Sequence, residues 1–161
     1  MCDKRDSGGM ERMQSPDRKL RLEYIHPDNL GKVWPILREG VEKIRRRCGD
    51  SWLVEDMYLA IKQNHSTLHI GYIDGQYRGF LVLTPTVSFD GPVLHIWGLY
   101  SNGGDGLDLL YDGIEHIKQF ASKMNAKRIT FHSPRKGWEK YGEKLGFKLR
   151  TQTFALETEN A

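Results

Sequence analysis

Apolar residues along the chain change their period several times, and each change marks an element. Residues 20–25 (LRLEYI) alternate, with Leu20, Leu22 and Tyr24 on one side, which predicts a half-buried strand. The spacing then becomes helical. Leu30, Val33, Trp34, Leu37, Val41 and Ile44 form one stripe, with Asp28 placed to cap it and with Pro35 and Gly40 weakening it. Ser51 opens a second predicted helix (WLVEDMYLAIKQ) that ends near Asn64. A β region follows. STLHIGYI reads as a strand, Asp74-Gly75 as a hairpin turn, and QYRGFLVLT as the returning strand, ended by Pro85.

Asp90-Gly91 marks a second turn and VLHIWGLY a third strand. From about Gly106 to Met124 the period is helical again, with Leu107, Leu110, Ile114, Ile117, Ala121 and Met124 on one stripe. KRITFHS predicts a strand, WEKYGEKL a short helix and KLRTQTFAL a last strand. The order is β-α-α-β-β-β-α-β-α-β. Tight hairpins make the middle of the sheet antiparallel. The strand–helix–strand unit from VLHIWGLY to RITFHS requires a parallel crossover. The predicted class is therefore α/β, a mixed sheet with one parallel strand junction. Residues 1–18 are polar and contain a Gly-Gly pair, the composition of a flexible tail or a short docking arm. Residues 19–161 read as a single domain.

Composition narrows the function classes. The 161 residues suffice for one domain with a real core, and the net charge of +3 is too small to argue for nucleic acid. The basic run Arg45-Arg46-Arg47 fits a solvated helix end or a patch for an acidic partner. Cys2 and Cys48 give no disulfide framework, and no Cys/His spacing suggests a metal site. No apolar run suits a membrane span, and a cytoplasmic protein is expected.

The stretch Ser101-Asn102-Gly103-Gly104-Asp105-Gly106 stands between a strand and a long helix. The first turn of a helix offers amide groups without intrahelical partners, and their dipoles favour an anion. Glycines let a phosphate approach the backbone. The stretch therefore fits a pyrophosphate cradle or an ordinary turn. No Lys-Ser/Thr follows, so it is not a Walker loop, and the hairpins around it are not those of a dinucleotide fold. Asp105 either fills the helix-start amides as a cap or points away from the phosphates.

With this order of elements the chain resembles the GNAT superfamily of N-acetyltransferases over about residues 20–157. The family's pyrophosphate loop, Arg/Gln-x-x-Gly-x-Gly/Ala, corresponds to Ser101–Gly106, with Gly104 and Gly106 on the small positions and Ser101 in place of Arg or Gln. Lys144-Leu145-Gly146-Phe147 matches the start of a later family strand. Together with WLVEDMYLAI and GFLVL, residues 133–147 are also similar to small GNAT-like proteins of tailed bacteriophages.

The resemblance implies acetyl-CoA as cosubstrate, no metal, and direct attack of an amine on the thioester. It places the backbone of Trp97, Gly98 and Leu99 on the pantetheine arm and acyl carbonyl, Gly98 permitting a bulge. Ser101, Gly103, Gly104, Gly106, Leu107 and Arg135, with Lys136 beside it, would meet the phosphates. No Glu lies on VLHIWGLY, so His95, on one of two strands expected to diverge around the acyl group, and His132 on the other are the candidate bases. The family's frequent tyrosine acid corresponds to Gly142, with Tyr141 one residue earlier as the candidate acid. Glu55 and Asp56 could recognise a cationic acceptor, a small-molecule or protein amine. The alternative is a catalytically inactive binding or assembly module of a bacteriophage, with phage or host proteins as partners and the host cytoplasm as its place.

Overall fold

A computed structural model describes residues 20–49, 51–103, 106–133 and 142–159, with only the helical backbone for 106–108. The tail assigned to residues 1–18 lies outside the described residues. Five strands form one sheet in the order β1-β2-β3-β4-β5: β1 (Arg21–Ile25), β2 (Thr67–Ile73), β3 (Gln76–Ser88), β4 (Gly91–Ser101) and β5 (Ile129–Phe131). The first four pair antiparallel, and β4 pairs with β5 in parallel. Three helices cover the sheet: α1 (Leu30–Cys48), α2 (Val54–Lys62) and α3 (Gly106–Lys123).

The helical stripes bury as their spacing predicts. Leu30, Leu37, Val41 and Ile44 of α1 join Val54, Met57 and Ile61 of α2 against Leu68, Ile70, Phe80 and Val82. On the opposite face Leu110, Ile114, Ile117 and Ala121 of α3 meet Leu81, Leu83, Leu94 and Ile96. Adjacent β3 residues thus alternate between two cores, which is why this strand reads as a continuous apolar run. α1 lies close on the sheet at Gly40, where an added Cβ would stand 2.6 Å from Tyr100 Cδ1.

Four expectations are corrected. Asp28 does not cap α1: it sits in a 3-10 turn (Pro27–Asn29) whose own cap is the His26 ring, accepting from the Asp28 N–H at 3.1 Å. The second helix starts at Val54 and not after Ser51, because Asp56 accepts from the Leu53 N–H at 2.7 Å and fixes the start there. Pro85 does not end β3. Pairing with β2 ends at Leu83, so beyond it β3 is a one-sided strand where a missing N–H costs nothing. The last strand is absent among the described residues, and 148–156 is exposed, with no described strand beside it. The predicted short helix is seen only at 142–144; the rest of it, up to 141, lies outside the described residues.

Candidate active site

The register between β3 and β4 slips by one residue in mid-strand. Val82 faces Gly98 and Leu83 faces Ile96, so Trp97 is an extra residue of β4 without a partner on β3. A bulge keeps two successive side chains on one face. Trp97 packs with the α1/α2 core, and a Cβ on Gly98 would meet Met57 Cε at 3.1 Å and Ile44 Cδ1 at 3.6 Å on that same side. Leu99 then returns to the α3 face and Tyr100 to the α1/α2 face. The Trp97 indole meets that of Trp52, from the loop between α1 and α2, with ring centroids 5.3 Å apart and planes at 66°.

The same point is where β4 parts from β5. Their parallel ladder runs Leu94–Ile129, His95–Thr130 and Ile96–Phe131, and stops. From Trp97 to Ser101 β4 has no strand neighbour on that side among the described residues. His95 and His132 bracket the parting. Their ring centroids are 4.6 Å apart, and His95 Nδ1 lies 2.9 Å from Thr130 Oγ1. Burial, helped by the neighbouring His132, pushes the His95 pKa down to about 4, so its imidazole is neutral at physiological pH. His132 is exposed.

The glycine stretch begins where β4 ends. Ser101 is the last residue of β4 and pairs with Gly79. The Asn102 N–H donates to the Arg78 carbonyl at 2.6 Å and ties the turn to β3. Gly103 has φ +88°, a conformation that favours glycine, and nothing lies within 4 Å of a Cβ built there. Gly106 and Leu107 form the first turn of α3. Gly104 and Asp105 lie outside the described residues, as do Arg135, Lys136 and Tyr141. Gly142 is described: its carbonyl accepts from the N–H groups of Leu145 (3.0 Å) and Phe147 (2.8 Å), which closes the turn.

The structure thus gathers Trp97, Gly98 and Leu99 with His95 and His132 at one strand parting, and sets Ser101, Gly103, Gly106 and Leu107 along the exit of β4. Asp56 is engaged with the Leu53 amide, while Glu55 is exposed on α2. Sequence reasoning passed over three participants. Thr130 orients His95, and its signal was its place two residues before His132 on one strand face. Trp52 covers Trp97, and the Arg78 carbonyl holds the loop; neither leaves a local pattern. Among the described residues no group of three His, Cys, Asp or Glu side chains could hold a metal, and no helix is long and apolar enough to cross a membrane.

No family model matches the sequence, and no curated protein matches it. Solved structures do match the fold. A ribosomal-protein-alanine N-acetyltransferase from Brucella melitensis superposes with a TM-score of 0.62 at 12% identity, over 86% of this chain and 99% of that one. The chain has a GNAT-like fold. An aminoglycoside N-acetyltransferase in complex with CoA matches with a TM-score of 0.62 at 15% identity, over 88% of this chain and 96% of that one. A predicted acetyltransferase with acetyl-CoA from Clostridium acetobutylicum matches with a TM-score of 0.61 at 12% identity, over 86% and 96%. At these identities the likeness is one of GNAT-like architecture, and the chemistry has to be argued from this chain's own residues.

Proposed function

We propose that the protein is an N-acyltransferase that uses acetyl-CoA as acyl donor and an amine as acceptor. The observation that carries this reading is the extra residue Trp97, placed where β4 leaves β5. Trp97 has no partner on β3 there, and from Trp97 to Leu99 the backbone has no described strand neighbour on the β5 side. The residues fit the donor: Gly103 is open and in a positive-φ turn, and the first amides of α3 follow directly. Those amides, with the Ser101, Gly104 and Arg135 positions, would hold the diphosphate.

The acceptor's neutral nitrogen attacks the thioester carbonyl, the C–N bond forms, and the C–S bond breaks with the electron pair leaving on sulfur. Backbone N–H groups of β4 near Gly98 on the β5 side would meet the oxygen on which charge develops, a contribution on the order of 3 kcal/mol in oxyanion-hole cases. In the tautomer whose Nδ1–H donates to Thr130 Oγ1, Nε2 of His95 is the nitrogen that takes the amine's proton, with the exposed His132 ring beside it. Tyr141 or water returns a proton to the thiolate. Most of the acceleration then comes from backbone placement. The acetyl-CoA pool makes the cytoplasm the setting for this chemistry. Proteins of this fold include enzymes named for protein and for aminoglycoside amines.

A second reading, a binding module without transfer, is favoured by Ser101 standing where the family has Arg or Gln and by Gly142 at the tyrosine position. Thermal unfolding with acetyl-CoA and with CoA separates the two. A bound ligand at a hundred times its dissociation constant stabilises by about 2.7 kcal/mol, so a clear upward shift is expected. No shift at millimolar ligand ends the enzyme reading.

A further inference from the structure

His69 stands where packing alone would favour an aliphatic residue. It lies in β2 between Leu68 and Ile70 and is 1% exposed. A polar side chain so deeply buried needs partners, and the ring has one at each nitrogen. Nε2 lies 2.9 Å from Thr67 Oγ1, and that hydroxyl donates to the Leu83 carbonyl at 3.5 Å. The hydroxyl has a single hydrogen, so with that hydrogen on Leu83 it accepts from His69 Nε2–H. Nδ1 of His69 then carries a lone pair. It lies 3.2 Å from Nε2 of His116, which comes from α3.

That separation suits two occupants. A hydrogen donated by His116 is one, at the long end of the hydrogen-bond range. A metal ion is the other. With zinc–imidazole bonds of about 2.0–2.1 Å, two nitrogens 3.2 Å apart subtend about 100–106° at the metal, close to tetrahedral. The surroundings match a ligand pair. Metal-bound histidines donate their other N–H to a fixed acceptor, which Thr67 supplies to His69. Tyr24 and Phe120 wall the His69 ring, while His116 is half-buried and leaves room for water. The charge on Lys123 acts on His116 and disfavours calcium or magnesium, hard ions that take oxygen ligands. Imidazole suits zinc, copper and nickel.

We propose that His69 Nδ1 and His116 Nε2 bind one divalent transition-metal ion of the zinc class, with water in the remaining positions. His116 then carries its proton on Nδ1, and both rings stay neutral. The ion joins β2 to α3, so it is a ligand of the folded state and raises stability. Two protein ligands make a weaker site than the four of a closed structural one. The ligands are 47 residues apart in the chain and share no spacing motif. The site is separated from β4 by β3 and does not depend on the acyltransferase reading.

The test adds ZnCl2 to the metal-free, isotope-labelled full chain and follows the histidine rings by NMR, with urea unfolding alongside. The ring signals of His69 and His116 should move together, His69 should keep its Nε2–H, and the urea midpoint should rise. His116→Ala alters a partly exposed helical position. It should keep the circular dichroism spectrum and lose the zinc response of His69. Thr67→Val removes the supporting acceptor and should weaken zinc binding about 10–100-fold. A wild-type chain whose His69 and His116 signals stay in place in excess zinc overturns the proposal, whether or not zinc is taken up elsewhere. A His116→Ala chain in which His69 still answers zinc as in the wild type overturns it as well.

Discussion

His95 Nδ1 lies 2.9 Å from Thr130 Oγ1, one pair before the ladder between β4 and β5 ends. The bond fixes the imidazole at the strand parting whichever partner donates. Burial is the larger cause of its low pKa, near 4 against an ordinary 6.5, and the charge on His132 the smaller. A proton-detected NMR titration of the His95 ring should therefore show a midpoint near 4. His132→Ala removes the smaller cause and should move the midpoint upward. A wild-type midpoint at 6.5 contradicts the geometry. Because His95 is neutral above pH 5, the rise of acyl transfer with pH should follow deprotonation of the acceptor amine and not of this histidine.

His69 carries the pH dependence of stability. It is buried on the α3 face, with Nε2 2.9 Å from Thr67 Oγ1, Nδ1 3.2 Å from His116 Nε2, and Tyr24 and Phe120 against its ring. Burial first, and the charge on His116 second, lower its pKa to about 4 from 6.5. The unfolded chain binds that proton more readily than the folded one. Stability is thus full above pH 6.5 and falls as pH drops toward 4, by up to about 1.4 kcal/mol per pH unit from this group. His95, lowered to the same value, adds a loss in the same window. Urea unfolding at pH 7, 6 and 5 should show the decline, and His69→Phe should flatten part of it. A stability that rises on acidification over this range contradicts the assignment.

The bulge distinguishes removing a side chain from removing a residue. Trp97→Ala leaves the register intact and deletes a half-buried indole, for a loss on the order of 3 kcal/mol. Deleting residue 97 closes the bulge and leaves Gly98, Leu99 and Tyr100 on the faces and with the β3 partners they have now, in plain alternation after Ile96. Both variants should therefore unfold cooperatively at a lower urea midpoint, and the deletion alone should lose the thermal shift with acetyl-CoA. A deletion variant that keeps the full ligand shift would mean that the extra residue does not serve the site.

Gly40→Ala tests the seat of α1. Helix propensity alone favours alanine by about 1 kcal/mol. The new Cβ, however, would stand 2.6 Å from Tyr100 Cδ1 and 2.9 Å from Phe80 Cε1. Overpacking of this kind costs roughly 1–3 kcal/mol, so the net effect is a loss of stability and a displaced Tyr100 at the base of the loop. A gain in urea midpoint would show that α1 rides higher on the sheet.

The two amphipathic helices, the hairpin at Asp74-Gly75 and the parallel junction were legible, because period and turn chemistry are local properties. Gly98 pointed to the bulge through its missing side chain, although the slipped residue itself is Trp97. Pro85 misled because its cost depends on whether a neighbour strand needs its N–H, which only the sheet order decides. The segment 148–156 has the pattern of a strand, and pattern says nothing of the partner. At the candidate site the two histidines were visible as chemistry. Thr130, Trp52 and the Arg78 carbonyl act through tertiary contact and leave no local mark.

Hydrogen exchange across the chain with and without acetyl-CoA tests the central claim most directly, since it reads where the backbone is engaged. Slowed exchange confined to residues 97–99 and 103–108, together with the thermal shift, is the predicted result. Unchanged exchange over 97–108 at saturating ligand, or protection elsewhere with this region untouched, would contradict the account.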